Sequence, residues 1–421
     1  MGDCAAGVPL VRDAFTDSVL PFFNPIRIRR WITFDQRPKH GDRATLETVQ
    51  LARLKTTIQQ ASRAPFYAKR LAEAGVSADN LRSLEDIRRI PFTSKDDLRS
   101  QYPYGLATVP HSEFVRMHCS SGTTGTPVAV CYTQPDINSW ADLMARCLYM
   151  AGVRKDDVFQ NMSGYGLFTG GLGIHFGAER LGCMTIPAGA GNSKRQLKLV
   201  KDFGTTVAHI LPSYALHLGT TLIEEGEDPQ SPFPAHRLCG RGALHRRDAP
   251  PHRSPVRHEG IQLLRPVRNE RPRRGLRVPV PERPASLGDA YLLEIIDPNT
   301  GKLVPDGEVG ELVLTTLCRH GMPILRYRTR DLTRIIPGDC PYGRKHRRID
   351  RILGRSDDMI IVKGVNIYPM QVERVLMAYP EVGQNYVIVL ERDGLKDTMK
   401  VQVEIREESF VEDMRVLRGL Q

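Results

Sequence analysis

The sequence lacks the features of membrane-spanning, secreted and zinc-binding proteins. No apolar run reaches the ~18 residues that a membrane-spanning helix needs, and the N-terminus has no signal-peptide pattern. Ala6 stands where a myristoylation signal requires serine or threonine. The eight cysteines are scattered, with no C-x-x-C pair and no cysteine–histidine cluster at zinc spacing. These absences predict a cytoplasmic protein, without a membrane partner and without a protein-bound metal.

Apart from these absences, the composition is that of an ordinary globular protein. Of 421 residues, 41% are apolar and 25% are charged, which is close to the usual soluble mixture. The net charge of +11 would normally indicate a nucleic-acid or anionic partner. Residues 235–288 alone, however, hold thirteen arginines against four acidic residues. The rest of the chain therefore carries only about two positive charges, and no general affinity for nucleic acid is expected.

Residues 235–288 differ from the remainder of the chain in several ways. They contain eight prolines and no lysine, in addition to the thirteen arginines, and they follow neither the strand period nor the helix period. One interpretation is a disordered basic insert, irregular along its whole length. A nucleic-acid-binding tract is the alternative, and the near absence of interleaved aromatic residues for base stacking counts against it.

The pattern upstream of this segment favours an α/β fold. Apolar residues at helical spacing run from 46 to 75 and predict a packing helix that ends near Gly75. Between about 105 and 225, short apolar runs alternate with helix-like stretches. The clearest examples are 128–132, 138–151, 184–187 and 193–203.

Downstream of Asp289 the pattern becomes strand-rich, with turn signals between the strands. The predicted strands are 291–296, 311–316, 386–391 and 401–405. A small α+β domain at the C-terminus is therefore expected.

The strongest local signal is the loop Cys119-Ser-Ser-Gly-Thr-Thr-Gly-Thr-Pro127, which follows the extended stretch 114–118. Glycines let backbone N–H groups approach an anion, and the neighbouring hydroxyls add further donors, as a cradle for phosphates requires. The spacing of a Walker loop is absent. On its own the loop is therefore compatible with a phosphate cradle or with an ordinary polar loop.

Four motifs in a fixed order carry a family resemblance. They are Ser-Ser-Gly-Thr-Thr-Gly-x-Pro at 120–127, Tyr-Gly-Leu-Phe-Thr-Gly-Gly at 165–171, Arg-Tyr-Arg-Thr-Arg-Asp at 326–331, and Gly-Arg-Ser-Asp-Asp at 354–358 with Lys-Gly-Val-Asn-Ile-Tyr-Pro at 363–369. In this order they resemble the adenylate-forming acyl-CoA synthetases. Within that superfamily the chain is similar to the phenylacetate-CoA ligases, from about residue 48 to the end and with an interruption at 235–288.

The resemblance implies a two-step, AMP-forming ligation that would belong to phenylacetate catabolism. A carboxylate oxygen attacks the α-phosphorus of ATP and pyrophosphate leaves; the thiol of coenzyme A then displaces AMP from the acyl-adenylate. ATP, coenzyme A and an aryl acid are the implied small-molecule partners, with Mg²⁺ as the activating ion, and a homodimer is compatible with them. Positioning and charge stabilisation would be the main tasks of the protein, and no catalytic residue is assigned.

By motif match, the resemblance implies a nucleotide site made of a triphosphate loop and a ribose pair. Its residues are Ser120, Ser121, Gly122, Thr123, Thr124, Gly125, Thr126, Asp331 and Arg355. Asp331 would accept hydrogen bonds from the ribose hydroxyls, and Arg355 would assist at the same ribose. Without the motif, Asp331 would be interpreted as the ion-pair partner of a neighbouring arginine.

The resemblance also implies a pocket wall for the acid, where aromatic faces suit an aryl ring. The wall would comprise Tyr165, Phe168, Gly170 and Gly171, for which a tight turn in the core is the alternative. His175 is interpreted as a supporting residue, because a carboxylate nucleophile needs no base at neutral pH.

A mobile C-terminal domain is the third implied part. The resemblance places the hinge at Asp357, within 354–357, between an N-terminal adenylation domain at 1–353 and a C-terminal domain at 358–421 that we expect to be incomplete. Lys363 and Gly364 would face the coenzyme A side, and a simple strand and turn is the alternative for that loop.

Three departures from the family pattern bear on activity. Thr126 occupies a position where many superfamily members carry lysine. The chain ends before the late glycine-lysine motif whose lysine drives adenylation in the family, and Lys396 and Lys400 do not match it. The central Tyr-Gly-x-x-Glu motif, whose tyrosine stacks on adenine and whose glutamate helps to hold magnesium, is absent as well. We therefore expect very weak or no ligation, or an inactive nucleotide-binding relative.

A frameshift would account for the missing central motif. Gln262 to Arg271 can be encoded by CAACTCCTACGGCCTGTCCGAAATGAACGG, and omission of the first base makes the same DNA encode Asn-Ser-Tyr-Gly-Leu-Ser-Glu-Met-Asn. GC-rich codons in a shifted frame yield arginine and proline without lysine, as this segment does. We hypothesise two compensating frameshifts around 235–288, either in the gene or in its sequence determination.

Overall fold

The computed structural model describes residues 43–120, 126–167, 169–226, 236–239, 266–268, 287–338, 345–357, 360–362, 365–367, 369–376, 379, 382–393 and 396–405. In that part of the chain the helices are α1 (Arg43–Ala61), α2 (Pro65–Glu73), α3 (Lys95–Ser100), α4 (Gln134–Met150), α5 (Thr169–Leu181), α6 (Ser193–Asp202), α7 (Pro212–Glu224) and α8 (Pro369–Leu376). The strands are β1 (Phe114–Cys119), β2 (Ala129–Thr133), β3 (Val158–Asn161), β4 (Met184–Ile186), β5 (Val207–Ile210), β6 (His236–Cys239), β7 (Pro266–Arg268), β8 (Tyr291–Ile296), β9 (Gly310–Thr316), β10 (Tyr327–Thr333), β11 (Ile335–Ile336), β12 (Arg348–Ile349), β13 (Gly354–Arg355), β14 (Ile360–Val362), β15 (Val365–Ile367), β16 (Val382–Asp393) and β17 (Lys396–Ile405).

A five-stranded sheet in the order β4-β3-β5-β6-β7 organises the first half of the described chain. Strand β3 pairs in parallel with β4 and β5, β5 pairs in parallel with β6, and β7 is antiparallel to β6. Helices α5, α6 and α7 lie between consecutive parallel strands, as crossover connections require. The predicted α/β fold is confirmed.

Apolar side chains on the helices are buried against this sheet. One cluster joins α4 and α5 to β3 and includes Leu148, Phe159 and Ala178. Another joins α6 and α7 to β5 and includes Leu197 and Ile210. Burial of such side chains contributes roughly 1.5–3 kcal/mol each, so the two clusters fix the crossover helices beside the strands whose ends form the candidate site.

The N-terminal helical segment is two helices, not the single helix predicted over 46–75. Helix α1 ends at Ala61 and α2 begins at Pro65. Proline has no N–H group and its ring clashes with the preceding turn, so it is tolerated in the first turn of a helix but not in the interior. Leu54 and Leu71 nevertheless enter the same buried cluster.

A four-stranded antiparallel sheet in the order β13-β10-β9-β8 follows. The predicted strands at 291–296 and 311–316 are confirmed as β8 and β9, and Tyr291 lies opposite Thr316. Ile295, Leu312 and Ile335 form the buried cluster of this sheet. Strands β10 and β13 carry Asp331 and Arg355, the two residues predicted to contact the ribose, and β13 ends two residues before the predicted hinge residue Asp357.

Asp289 anchors the chain just before it enters this sheet at β8. Its carboxylate accepts two hydrogen bonds from Arg146 on α4, at 2.9 and 2.8 Å, and Arg53 on α1 lies 3.5 Å from it. Desolvation alone would raise the pKa of Asp289, but the hydrogen bonds and charge of Arg146, with the charge of Arg53, lower that pKa to about 2. Three elements distant in sequence are thus joined at one carboxylate.

Two short parts of residues 235–288 are regular, which corrects the expectation that the whole segment is irregular. Strand β6 extends the parallel sheet next to β5, and β7 pairs with β6. Backbone hydrogen bonds to an existing sheet edge do not depend on side-chain pattern, and the sequence pattern therefore gave no signal for them. The other residues of the segment, apart from Leu287 and Gly288, lie outside the described residues.

The C-terminal part contains two antiparallel hairpins and helix α8. Strand β14 pairs with β15, and β16 pairs with β17 over most of their length. This confirms the predicted strands at 386–391 and 401–405 and the α+β character of this part. None of the helices in the described part of the chain is long and apolar enough to cross a membrane.

Candidate active site

The candidate phosphate loop connects β1 and β2, which form an antiparallel hairpin. At its base, the Ser120 N–H donates to the Val128 carbonyl at 3.0 Å, and the Val128 N–H donates to Ser120 Oγ at 2.9 Å. The Ser120 hydroxyl hydrogen remains available to another acceptor. Thr126 is exposed at the other end of the loop, whereas residues 121–125 (Ser121, Gly122, Thr123, Thr124 and Gly125) lie outside the described residues.

The candidate acid-pocket wall, residues 165–171, begins in the connection after β3 and ends in the first turn of α5. Tyr165 is partly buried, and burial raises its pKa. Its hydroxyl lies 3.3 Å from His175 Nδ1, and His175 Nε2 lies 3.0 Å from Glu179 Oε1. His175 therefore orients an aromatic side chain of the wall, in line with the supporting role predicted for it. Phe168 lies outside the described residues.

Glycines in the wall and in α5 permit close backbone packing. A Cβ atom at Gly171 would collide with the carbonyl oxygen of Gly164, and one at Gly173 would collide with the Trp140 ring of α4. The Gly171 carbonyl accepts a hydrogen bond from Asn161 Nδ2 at 2.8 Å, and Gly170 is partly buried beside it. Gly171 thus packs directly against the backbone of Gly164. A tight turn in the core, the alternative that the sequence left open, involves the same kind of close contact.

The predicted ribose pair is brought together by β10 and β13. Asp331 lies directly opposite Arg355 in the sheet, and Arg355 Nη1 lies 3.3 Å from Asp331 Oδ1. The register of β10 shifts between Arg328 and Leu332. At this irregularity Arg330 adopts a left-handed φ of 66°, a conformation that is uncommon for residues other than glycine. The bulge thus occurs immediately before Asp331.

Arg355 also contacts the predicted hinge residue. Its Nε and Nη2 atoms donate to the two carboxylate oxygens of Asp357 at 2.9 and 2.8 Å. Desolvation opposes ionisation of Asp357, but the hydrogen bonds and charge of Arg355 outweigh it and lower the pKa. Lys363 and Gly364 lie outside the described residues; the flanking strands β14 and β15 pair with Val362 opposite Val365.

Comparison with known proteins identifies the family. Residues 364–421 match the family model of the AMP-binding enzyme C-terminal domain. The chain is 44% identical to the phenylacetate-coenzyme A ligase of Pseudomonas putida, over 85% of this chain and 82% of that protein. It is 42% identical to the enzyme of the same name from Thermus thermophilus, over 88% and 84% of the two chains. The chain belongs to the phenylacetate-CoA ligase family.

Solved structures of other adenylate-forming enzymes share the fold. A 2-hydroxyisobutyryl-CoA ligase in the postadenylation state, in complex with R3-HIB-AMP, is 25% identical, with a TM-score of 0.68 over 92% of this chain and 86% of that one. The same ligase with 2-HIB-AMP and CoA in the thioesterification state is 27% identical, with a TM-score of 0.60 over 90% and 82%. The fold of this phenylacetate-CoA ligase family member is thus one that binds acyl-adenylates in other proteins.

A buried polar network that sequence reasoning missed supports the acid-pocket wall. His209 Nδ1 lies 3.0 Å from Asn161 Oδ1 and 3.1 Å from Ser163 Oγ, and all three residues are buried. Burial lowers the pKa of His209 to about 4, so its ring is neutral at physiological pH. Asn161 and His209 lie at the carboxyl ends of parallel strands β3 and β5, where open α/β sheets bind ligands. Their position at the ends of predicted strands was the sequence signal that could have identified them as site residues.

Glu311 was missed as well, because the central residues of its strand β9, Leu312 to Leu314, are apolar. It is fully buried, and its carboxylate accepts two hydrogen bonds from Arg328 at 3.0 and 2.7 Å. Ser356 Oγ donates to the same carboxylate at 3.3 Å. In this family member Glu311 therefore connects strand β10 to Ser356, the residue before the predicted hinge residue Asp357.

Proposed function

We propose that this chain descends from, and retains the architecture of, enzymes that ligate phenylacetate or a closely related aryl acid to coenzyme A through an acyl-adenylate. The similarity to phenylacetate-coenzyme A ligases over most of the chain carries the proposal. Two described contacts support it: Asp331 and Arg355 are paired across β10 and β13, and Gly171 is hydrogen-bonded to Asn161 at the carboxyl end of β3.

In the first step, the acid enters as a carboxylate and needs no base, since its pKa lies far below neutral pH. Its oxygen attacks the α-phosphorus of ATP, and the bond from phosphorus to the pyrophosphate oxygen breaks. Donors of the loop that begins at Ser120 stabilise the phosphate charge, and Asp331 with Arg355 orients the ribose. Tyr165, held by His175, forms part of a wall that suits an aromatic ring.

In the second step, the sulfur of coenzyme A attacks the acyl carbon and the bond from that carbon to the AMP oxygen breaks. The resemblance places a rotation of the C-terminal domain about Asp357 between the two steps. Arg355 contacts both Asp331 and Asp357, so the ribose site and the hinge share one guanidinium group. The residues at Lys363 and Gly364 would then face the pantetheine arm.

This chain should carry out the reaction at a very low rate. Residues 235–288 contain neither the tyrosine that would stack on adenine nor the glutamate that would help to hold magnesium. Loss of a group that stabilises transition-state charge costs a factor of about 10² to 10³ in rate. A chain that binds ATP without ligation is the second candidate, favoured by the intact loop base and ribose pair.

Magnesium is proposed as a part of the substrate, because Mg²⁺ is typically held through nucleotide phosphates. In the described residues no group of three or more His, Cys, Asp or Glu side chains could hold a metal ion, and no step is assigned to a protein-held ion. We place the reaction in the cytoplasm, which the free thiols of the described cysteines support. A homodimer remains a prediction, to be tested by analytical ultracentrifugation.

The proposal is tested by incubating the chain with ATP, Mg²⁺, coenzyme A and phenylacetate, and measuring phenylacetyl-CoA by mass spectrometry. We expect slow product formation that Asp331→Asn reduces further, whereas the surface control Asp306→Asn leaves it unchanged. Calorimetric titration with ATP separates the two candidates, since ATP binding without product supports the second. Absence of both ATP binding and product would contradict both.

A further inference from the structure

One backbone carbonyl joins the phosphate loop to the acid-pocket wall. The Leu167 carbonyl oxygen accepts a hydrogen bond from His118 Nδ1 at 3.0 Å and another from the Cys119 N–H at 3.1 Å. His118 and Cys119 are the last two residues of β1, which leads into the phosphate loop. Leu167 lies within the wall, between Tyr165 and α5.

In the contact with Leu167, the His118 side chain is the hydrogen-bond donor. A carbonyl oxygen can only accept, so Nδ1 must carry the hydrogen. The side chain is almost fully buried, with 2% of its surface exposed. Desolvation lowers its pKa despite the favourable bond to Leu167, which favours the neutral ring with Nδ1 as its donor. Within the described residues, Nε2 has no hydrogen-bond partner, which leaves the bond to Leu167 as the polar anchor of the ring there.

Aromatic packing holds the His118 ring in this orientation. Its ring lies edge-on to Tyr132 and Trp140, with centroids 5.5 and 5.3 Å away. Tyr132 and Trp140 are themselves stacked at 5.2 Å, and Gly173 of α5 lies directly against Trp140. The ring is therefore fixed from two sides, by strand β2 and by helix α4, while its nitrogen reaches the wall.

We propose that His118 is a positioning residue that couples the phosphate loop to the acid-pocket wall, so that binding of the nucleotide and binding of the aryl acid favour one another. The inference rests on the proposed function, which assigns the two ligands to these segments. Its physical basis is the pair of hydrogen bonds to the Leu167 carbonyl: a ligand that fixes the position of Leu167 also fixes the His118–Cys119 end of β1, and the reverse holds as well.

Three substitutions separate the hydrogen bond from the packing. His118→Asn places an amide nitrogen near the position of Nδ1 and can keep the bond to Leu167. His118→Gln places its amide near the position of Nε2 and loses that bond. His118→Phe keeps an aromatic ring between Tyr132 and Trp140 but has no donor. Circular dichroism establishes that each variant is folded, and the Asn and Gln pair suffices if the Phe variant does not fold.

The first measurement is hydrogen–deuterium exchange of the full chain without ligands. We expect exchange in 120–128 and in 164–171 to rise together in His118→Phe and His118→Gln, and to stay near the parent level in His118→Asn. A rise in only one segment, or an equal rise in all three variants, overturns the inference. This outcome does not depend on activity, so it also distinguishes failure of the coupling from failure of the proposed function.

The second measurement is calorimetric titration with phenylacetate, in the absence and presence of saturating AMP. We expect AMP to tighten phenylacetate binding about fivefold or more in the parent chain and in His118→Asn, and to change it less than about twofold in the other two variants. Equal coupling in all four proteins overturns the inference. If the parent chain binds neither ligand, the proposed function fails, and the exchange measurement still decides whether the two segments move together.

Discussion

Substitution of Asp289 by asparagine is expected to weaken the contact that joins the segment before β8 to helices α1 and α4. The Asp289 carboxylate is bonded by Arg146 at 2.8 and 2.9 Å and lies 3.5 Å from Arg53. About a fifth of each side chain of the Arg146–Asp289 pair is exposed, so solvent screens the pair only in part. Removal of one partner leaves a guanidinium group that is largely desolvated and incompletely paired.

The pKa of Asp289 sets the magnitude and the pH dependence. The difference between the ordinary value of 3.8 and the folded-state value of about 2 corresponds to about 2 kcal/mol of stability. Because the folded-state pKa is depressed, this contribution is present above the unfolded-state pKa and is lost as the pH falls through the folded-state value. The Asp289→Asn variant should be destabilised by about 2 kcal/mol at pH 7, and the difference should shrink between pH 4 and pH 2.

Urea unfolding followed by circular dichroism measures this effect, with the midpoint compared at an unchanged slope. Asp306→Asn is the matched control, because the Asp306–Arg347 pair is much more exposed and is expected to contribute less than about 1 kcal/mol. A loss at Asp289 no larger than that at Asp306, or a loss that persists undiminished at pH 2, would refute the reasoning.

Four further predictions concern the site and the arginine-rich segment. Gly171→Ala should weaken phenylacetate binding at least tenfold by calorimetry because a Cβ there collides with backbone, whereas Gly166→Ala, in open space, should not; equal effects would contradict this. Substitution of both Thr123 and Thr124 by valine in a frame-restored chain should abolish acid-dependent pyrophosphate exchange without unfolding the protein. Undiminished exchange would show that the loop takes no part in adenylation. The restored chain should turn over phenylacetate faster than hexanoate in a coupled assay of AMP release. Faster turnover of hexanoate would contradict the predicted preference for aryl acids. Trypsin should cleave first within 235–288 by peptide mapping, and resistance there would disfavour the frameshift.

Prediction from the sequence was most successful where several motifs occur in a fixed order, or where apolar runs lie between clear turn signals. Asp331 and Arg355 are 24 residues apart in sequence, and their motifs predicted that both contact the same ribose. The structure brings the two side chains together across β10 and β13. Strands β8 and β9 were likewise predictable, because their apolar runs are bounded by clear turn signals. Residue roles at the nucleotide remain predictions.

Other parts of the site could not be predicted, because their signal is not carried by local side-chain pattern. The Leu167 carbonyl is a backbone group, which every residue possesses, and only the tertiary fold brings His118 to it. Glu311 and His209 are buried polar residues in strands whose neighbours are apolar, so periodicity assigned them to the sheet and not to a network. Strand β6 forms by pairing with the edge of β5, a tertiary effect that its composition opposed.

This chain belongs to the phenylacetate-CoA ligase family, and we hypothesise that its residues 235–288 are out of frame. The most direct test replaces that segment by the text of the shifted frame, which contains Asn-Ser-Tyr-Gly-Leu-Ser-Glu-Met-Asn, and measures phenylacetate-dependent exchange of labelled pyrophosphate into ATP beside the original chain. We predict that the replacement raises the exchange rate by about 100-fold or more, as expected when nucleotide-binding groups of the transition state are restored. Equal exchange rates in the two chains, or no acid-dependent exchange in either, would contradict the frameshift hypothesis.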